Sequence, residues 1–223
     1  MGNCILKLAC SVNFFWGKMD NFAKTSPAIL MCTCRAYTEI AQATCNLLEL
    51  FWQDHPEIFV VGGKDITGGQ SVPFSCHERD WVGMAYEAVR WLQSNSFTHC
   101  YLILDDHPPV GFCNSEFLNR TLPELCGQLN ATHVALAGWD QFQPKDGVLI
   151  TVGRQQWMLN SLSYKWKFDL HPGYWNLVDL EIILKKNMDI SPRMYSAREF
   201  EGISGSGKLA LPDKFLEATY KIS

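Results

Sequence analysis

Two adjacent carboxylates, Asp105 and Asp106, follow the apolar run Cys100-Tyr101-Leu102-Ile103-Leu104 and precede His107-Pro108-Pro109. A buried strand that ends on acidic residues carries them to the carboxyl edge of an α/β sheet, where such sheets bind their ligands. Two close negative charges repel unless a cation or hydrogen-bond donors lie beside them. A hard divalent ion that also grips a diphosphate meets that need, with the carboxylates as oxygen ligands. Water-exposed turn residues are the plainer alternative, because Asp ahead of Pro-Pro is an ordinary turn device.

A second acidic group lies in Ser196-Ala197-Arg198-Glu199-Phe200-Glu201. Either glutamate is a candidate general base for an acceptor hydroxyl if burial lifts its pKa toward working pH; two solvated charges are the alternative. His171 and Trp175 flank a Pro-Gly turn and are candidates for an acceptor ligand and a sugar-stacking face, against ordinary surface and core roles. Arg154 is a candidate phosphate partner or a solvated charge. The stretch Gly202-Ile203-Ser204-Gly205-Ser206-Gly207-Lys208 has the glycine and lysine spacing of a phosphate loop. Leu209 stands where the magnesium-binding Ser or Thr belongs, no apolar strand precedes it, and Leu211-Pro212 occupies the helix start, so an ATPase or kinase is excluded.

These groups need a scaffold, and the hydrophobic pattern outlines one. Residues 28–34 and 58–61 are short continuous apolar runs, as expected of strands covered on both faces. Between them Ile40, Thr44/Cys45, Leu47, Leu48 and Phe51 recur at helical spacing, and the stretch from Gly62 to Pro73 reads as a loop. Ser75 and Glu78 have capping-box spacing ahead of the stripe Trp81, Met84, Ala85, Ala88 and Leu92. Strand 100–104, a helix near 115–129 and a strand at 133–137 continue the alternation, which predicts an α/β fold with a mostly parallel sheet. Strands are expected at 147–152 and 163–170, a turn at 171–175, and a helix capped by Asn176. The chain divides into an N-terminal extension (1–26), one main domain (27–203) and an irregular C-terminal tail (204–223).

At 223 residues the chain can bury one sizeable core, and 47% hydrophobic with 19% charged residues is the composition of a folded protein. A net charge of −4 with no long basic run argues against nucleic-acid binding. Nine cysteines sit largely in apolar runs and read as reduced small hydrophobes in a cytoplasmic protein. Cys32-Thr33-Cys34 is too tight for a zinc pair and no second pair follows. No run reaches the length of a membrane span; the apolar start of the chain, with Lys7 inside it, reads as a loosely packed extension or a peripheral membrane contact.

Several segments in order resemble a known family: Leu30-Met31-Cys32-Thr33-Cys34-Arg35-Ala36-Tyr37, then Leu50-Phe51-Trp52-Gln53-Asp54-His55-Pro56, then Leu104-Asp105-Asp106. Tyr164-Lys165-Trp166-Lys167-Phe168-Asp169-Leu170-His171-Pro172-Gly173-Tyr174-Trp175 follows, and Ser191-Pro192 leads to Glu199-Phe200-Glu201. The set is similar to the GT-A-type glycosyltransferase-like proteins of bacterial surface-polysaccharide biosynthesis, over about residues 28–203. The resemblance implies a GT-A-like, Rossmann-type sheet flanked by helices, with a small acceptor-side region near the C-terminus. Thr33, Arg35 and Tyr37 would hold the nucleotide base and ribose. Asp105 and Asp106, with His107 in the third position, would bind diphosphate and a manganese or magnesium ion. Glu201, and after it Glu199, would lie near the acceptor. Relatives often carry Asp where this chain has Arg35, which accepts no hydrogen bond from base or ribose and pairs with phosphate instead. Histidine at 107 suits manganese better than magnesium.

The expected activity is transfer of a sugar from a nucleotide-sugar donor to a saccharide or lipid-linked acceptor hydroxyl, at the cytoplasmic side of a membrane. A non-catalytic nucleotide-sugar or glycan-binding module of the same fold is the rival, favoured by Arg35. A nucleotidyltransferase also needs an acidic pair and a metal, but residues 33–38 lack the basic, glycine-rich triphosphate loop it uses.

Overall fold

A computed structural model describes residues 27–136, 148–152, 155–159, 170, 172–190, 195–200 and 217–220. The first apolar run forms β1 (Ala28–Cys32), every residue of which is buried. A 3-10 turn at Arg35–Tyr37 leads into α1 (Thr38–Phe51), then β2 (Ile58–Val61) and the two-residue β3 (Gln70–Ser71). Helix α2 (Trp81–Ser94) returns the chain to β4 (His99–Leu104). A π-helical turn at Phe117–Thr121 precedes α3 (Leu122–Leu129) and β5 (His133–Ala135). The remaining elements are β6 (Val148–Val152), β7 (Gln155–Leu159), β8 (Gly173–Asn176), α4 (Leu177–Ile190) and β9 (Glu217–Tyr220).

The described strands join one sheet in the order β3-β2-β1-β4-β8-β5-β9-β7-β6. The pairs β3–β2, β2–β1 and β1–β4 are parallel, and β8 lies antiparallel between β4 and β5. Over these six strands the sheet is mixed and mostly parallel, as the alternation of strand and helix predicts. Strand β9 adds parallel to β5, and the β6–β7 hairpin continues antiparallel. The order β3-β2-β1-β4 is that of one side of a Rossmann-type sheet.

Side chains alternate across a strand, and here each face has its own helices. Ile29 and Met31 of β1 with Tyr101 and Ile103 of β4 pack with Ala41, Cys45 and Leu48 of α1 and with Leu122 and Leu125 of α3. Leu30 and Cys32 with Leu102 and Leu104 face Met84, Ala88 and Leu92 of α2 and Leu180, Ile183 and Leu184 of α4. With both faces covered, the central strands must be apolar throughout, which is why their sequences show no alternation.

Three expectations are corrected. The segment 172–175 is not a turn: Gly173, Tyr174 and Trp175 belong to β8 and pair with β4 on one side and β5 on the other. Residues 204–223 are not irregular throughout, since β9 enters the sheet. Ser75 and Glu78 do not form a capping box: Asp80 caps α2, accepting a hydrogen bond from the Gly83 amide at 3.1 Å, while Ser75 donates to Glu87. The Asn176 cap is as expected, with its side-chain oxygen accepting from the Val178 and Asp179 amides. Most of the strand expected at 163–170 lies outside the described residues.

Gly62 directly follows β2 with φ +90°, and a Cβ there would stand 2.1 Å from the Thr33 carbonyl oxygen. Left-handed backbone and lack of room act together, so Gly62→Ala should destabilise the fold by about 3 kcal/mol. Urea denaturation that finds the variant within about 0.5 kcal/mol of the parent would remove Gly62 from the account of this edge.

Candidate functional site

The chain runs outward from β1 to β2 and β3, then crosses to β4 on the other side of β1. The carboxyl ends of β1 and β4 therefore flank the crevice in which open α/β sheets take their ligands. Thr33 follows one of these ends and Asp105 the other. The Thr33 hydroxyl donates to Asp105 Oδ2 at 2.5 Å, joining residues 72 apart in sequence. A distance this short is typical of a hydroxyl donating to an ionised carboxylate.

Other groups hold Asp105 from behind. Thr44 of α1 donates its hydroxyl to the Asp105 carbonyl at 2.5 Å. The His107 amide donates to the Leu104 carbonyl at 3.1 Å, closing a turn with the two aspartates at its corners. Thr33 is itself seated by glycine: its amide donates to the Val61 carbonyl, and Gly62 and Gly63 leave room for its carbonyl and methyl group.

The two aspartates consequently differ. Asp105 is half-buried, and burial pushes its carboxyl above the ordinary 3.8; the Thr33 hydrogen bond opposes the rise and the Asp106 charge adds to it. Asp106 presents an exposed carboxylate, with Oδ1 3.3 Å from Nδ1 of the partly covered His107. Asp106 thus offers an oxygen ligand to solvent, while the Nδ1 edge of His107 is covered beside it. Among the described residues no three His, Cys, Asp or Glu side chains form a ready-made metal cage. A divalent ion shared with substrate phosphates needs only one or two protein carboxylates, so the residues present fit such an ion.

The other sequence-derived candidates scatter. Thr33 is only 4% exposed, and its hydroxyl is engaged by Asp105. Arg35 and Tyr37 are exposed in the turn after β1, and Arg35 Nε lies 3.5 Å from Glu78 Oε2. Trp175 offers no stacking face to an acceptor: it is fully buried in β8, its ring stacked on that of His133 at 3.8 Å between centroids. Glu199 lies at the same edge as the start of α2, because the Trp81 amide donates to the Tyr195 carbonyl and Phe200 packs by the Trp81 ring. Its Oε2 accepts from both the amide and the hydroxyl of Ser196 at 2.9 Å, the capping box of a short helical turn. That carboxylate is engaged in starting a helix. Glu201, His171 and Arg154 lie outside the described residues.

Sequence reasoning missed Thr44, Gly62 and Glu78 as parts of this edge. Gly62-Gly63 directly after a buried strand was the available signal for the first close approach. Thr44 lies within an otherwise apolar helical stripe, and a hydroxyl there needs a partner. No local pattern marks Glu78.

Asp105 makes the stability of the fold depend on pH. Its folded-state pKa lies above the unfolded one, so stability is present at low pH and is lost as pH rises through that window. At pH 7 the ionised, half-buried group is a cost, screened by its remaining exposure. Asp105→Asn keeps an acceptor for Thr33 and should raise Tm at pH 7 by about 1–3 °C, with the gain vanishing toward pH 4. Thermal unfolding from pH 4 to 8 checks this, and a Tm lowered at pH 7 would contradict it.

No family model matches the chain, and no curated protein matches it in sequence.

Proposed function

We propose that this chain is a glycosyltransferase that moves a sugar from a nucleotide-sugar donor to the hydroxyl of a saccharide or lipid-linked acceptor. The observation that carries the reading is the Thr33–Asp105 hydrogen bond at the crevice between β1 and β4. It unites the two segments to which the family resemblance assigns donor binding, one after each strand. The resemblance also supplies the setting, surface-polysaccharide synthesis at the cytoplasmic face of a membrane. Among the described residues no helix is long and apolar enough to cross one.

In this reading the residues divide their work by exposure. Thr33 and Thr44 fix Asp105, and the exposed Asp106 carboxylate follows it in the same turn. Asp106, with His107 beside it, would hold a manganese or magnesium ion. The chemistry such an ion supplies there is neutralisation of the charge that develops on the departing nucleoside diphosphate. Tyr37, 53% exposed beyond β1, gives a flat face for the base. Glu201 is the candidate base for the acceptor hydroxyl, because the Glu199 carboxylate already accepts two hydrogen bonds from Ser196.

That engagement of Glu199 also favours a second reading, a nucleotide-sugar or glycan-binding module that performs no transfer. The two separate on turnover. At 100 times its Kd, a nucleotide sugar should stabilise the protein by about 2.7 kcal/mol, a rise of about 5–10 °C in Tm. Nucleoside triphosphates should give no comparable shift; a triphosphate preference instead indicates nucleotidyl transfer. Asp106→Ala, at a solvent-exposed position, should fold normally and lose at least about 100-fold in donor turnover. Unchanged turnover in that variant sinks the site, and binding without any turnover by the parent protein selects the binding module.

A further inference from the structure

Arg35 stands three residues beyond the end of β1, in a turn whose backbone is well held. The Tyr37 amide donates to the Cys34 carbonyl at 2.9 Å, and the Thr38 hydroxyl donates to the Arg35 carbonyl at 3.0 Å. Its side chain is 77% exposed and lies against the 40% exposed Glu78, with Nε and Oε2 3.5 Å apart. Glu78 belongs to the loop that leads into α2, and the helix does not need it. Asp80 provides the cap, and the neighbouring Ser75 is satisfied by Glu87. The Arg35–Glu78 pair therefore links the β1 turn to the α2 loop without serving either element.

Charge gives the pair a use. The crevice carries Asp105 and Asp106, and a donor adds the negative charge of its diphosphate. Among the described residues that directly follow β1, β2 and β4, the Lys and Arg side chains are Arg35 and Lys64. Lys64 is beside Asp65, 3.8 Å away, at the more distant end of β2. Arg35 follows the strand whose next residue, Thr33, holds Asp105. A guanidinium meets phosphate with two parallel N–H donors, a stronger arrangement than an exposed pair with a single carboxylate. Exposed ion pairs contribute only about 0–1 kcal/mol, so leaving Glu78 costs little.

We infer that Arg35 is the ligand of the donor's diphosphate and that Glu78 holds it in the unloaded protein. Donor binding exchanges a carboxylate for a phosphate on one guanidinium. The inference rests on the nucleotide-sugar reading of the site and names the group that recognises the phosphates. It also explains a departure from the family pattern: an arginine in place of Asp shifts recognition at this position from ribose and base to phosphate.

Isothermal titration of the full chain with inorganic pyrophosphate in EDTA tests it, alongside nucleoside diphosphates and the matching phosphate-free nucleosides. The parent protein should bind pyrophosphate, and Arg35→Ala should weaken that binding at least about tenfold. Arg35→Lys should recover only part of the loss, since an ammonium has no fork. Glu78→Gln should bind pyrophosphate about two- to fivefold more tightly, because the competing carboxylate is gone. Nucleoside affinity should be the same in all variants. Failure of the parent to bind pyrophosphate in EDTA overturns the inference, as does equal binding by Arg35→Ala or weaker binding by Glu78→Gln. If parent and Arg35→Ala bind nucleotide sugars alike and the parent turns them over, this inference fails and the glycosyltransferase reading stands. If pyrophosphate binds through Arg35 but no nucleotide sugar is turned over, the inference stands and the transferase reading fails.

Discussion

The hydrogen bond from Thr33 to Asp105 ties together the two strand ends on which this edge of the sheet is built. Each partner is in place only because of the other elements. Thr33 is buried under the end of β2, where Gly62 and Gly63 allow a backbone approach that any side chain would block. Asp105 emerges from a fully covered strand and is half-desolvated before its side chain meets water. A carboxylate at that depth without a donor would carry the full cost of lost hydration. The Thr33 hydroxyl supplies one donor beside the Asp105 and Asp106 backbone, and Thr44 secures the adjoining carbonyl from α1. Strands β1 and β4, glycines of the β2 turn and helix α1 thus meet on a single side chain.

The scaffold behind that point is stiff for reasons of packing. The central strands are covered on both faces, and the middle of the sheet is filled with aromatic rings. Trp175 stacks on His133, and Tyr101 meets Tyr174 and Trp52 edge-on. Gly173 is required beside them, since a Cβ there would stand 2.3 Å from His133 Nε2. His99 packs flat on Tyr174, and burial holds its imidazole below the ordinary 6.5, favouring the neutral ring. Rigid strands with polar turns at one edge are the usual division between support and chemistry in such folds.

Much of this was legible in sequence. Continuous apolar runs located β1, β2 and β4, and helical stripes located α1 and α2, because double-sided burial leaves no choice of residue type. Asp105 and Asp106 were legible for the same reason, as charges at the end of a run that excludes them. The pairing of Thr33 with Asp105 was not, since a contact across 72 residues leaves no local trace. For Trp175 the core alternative is the one realised: Pro172 and Gly173 signal a turn, yet here glycine makes room for His133 in a central strand. Ser75 and Glu78 have the right spacing for a cap, but the helix begins after Asp80, whose shorter carboxylate reaches the Gly83 amide. Strands β3, β7 and β9 are short or polar, and their partners rather than their own residues define them.

Burial also decides which aromatic side chains can meet a ligand. Trp52, Trp81 and Trp175 are in the core, so the high tryptophan content of the chain is not by itself a sign of sugar recognition. Among the described residues the largely exposed aromatic rings are Tyr37 and Phe112, in the segments that follow β1 and β4 respectively. Phe112 rests edge-on against Phe51 at the end of α1, while Tyr37 precedes the first turn of the same helix. Among the described residues these exposed rings thus lie on the segments that also carry Arg35 and Asp106. Strand β8 supplies none. Among the described residues, exposed polar and aromatic side chains gather on the turns after β1 and β4 because β1, β2, β4 and β8 are almost wholly buried.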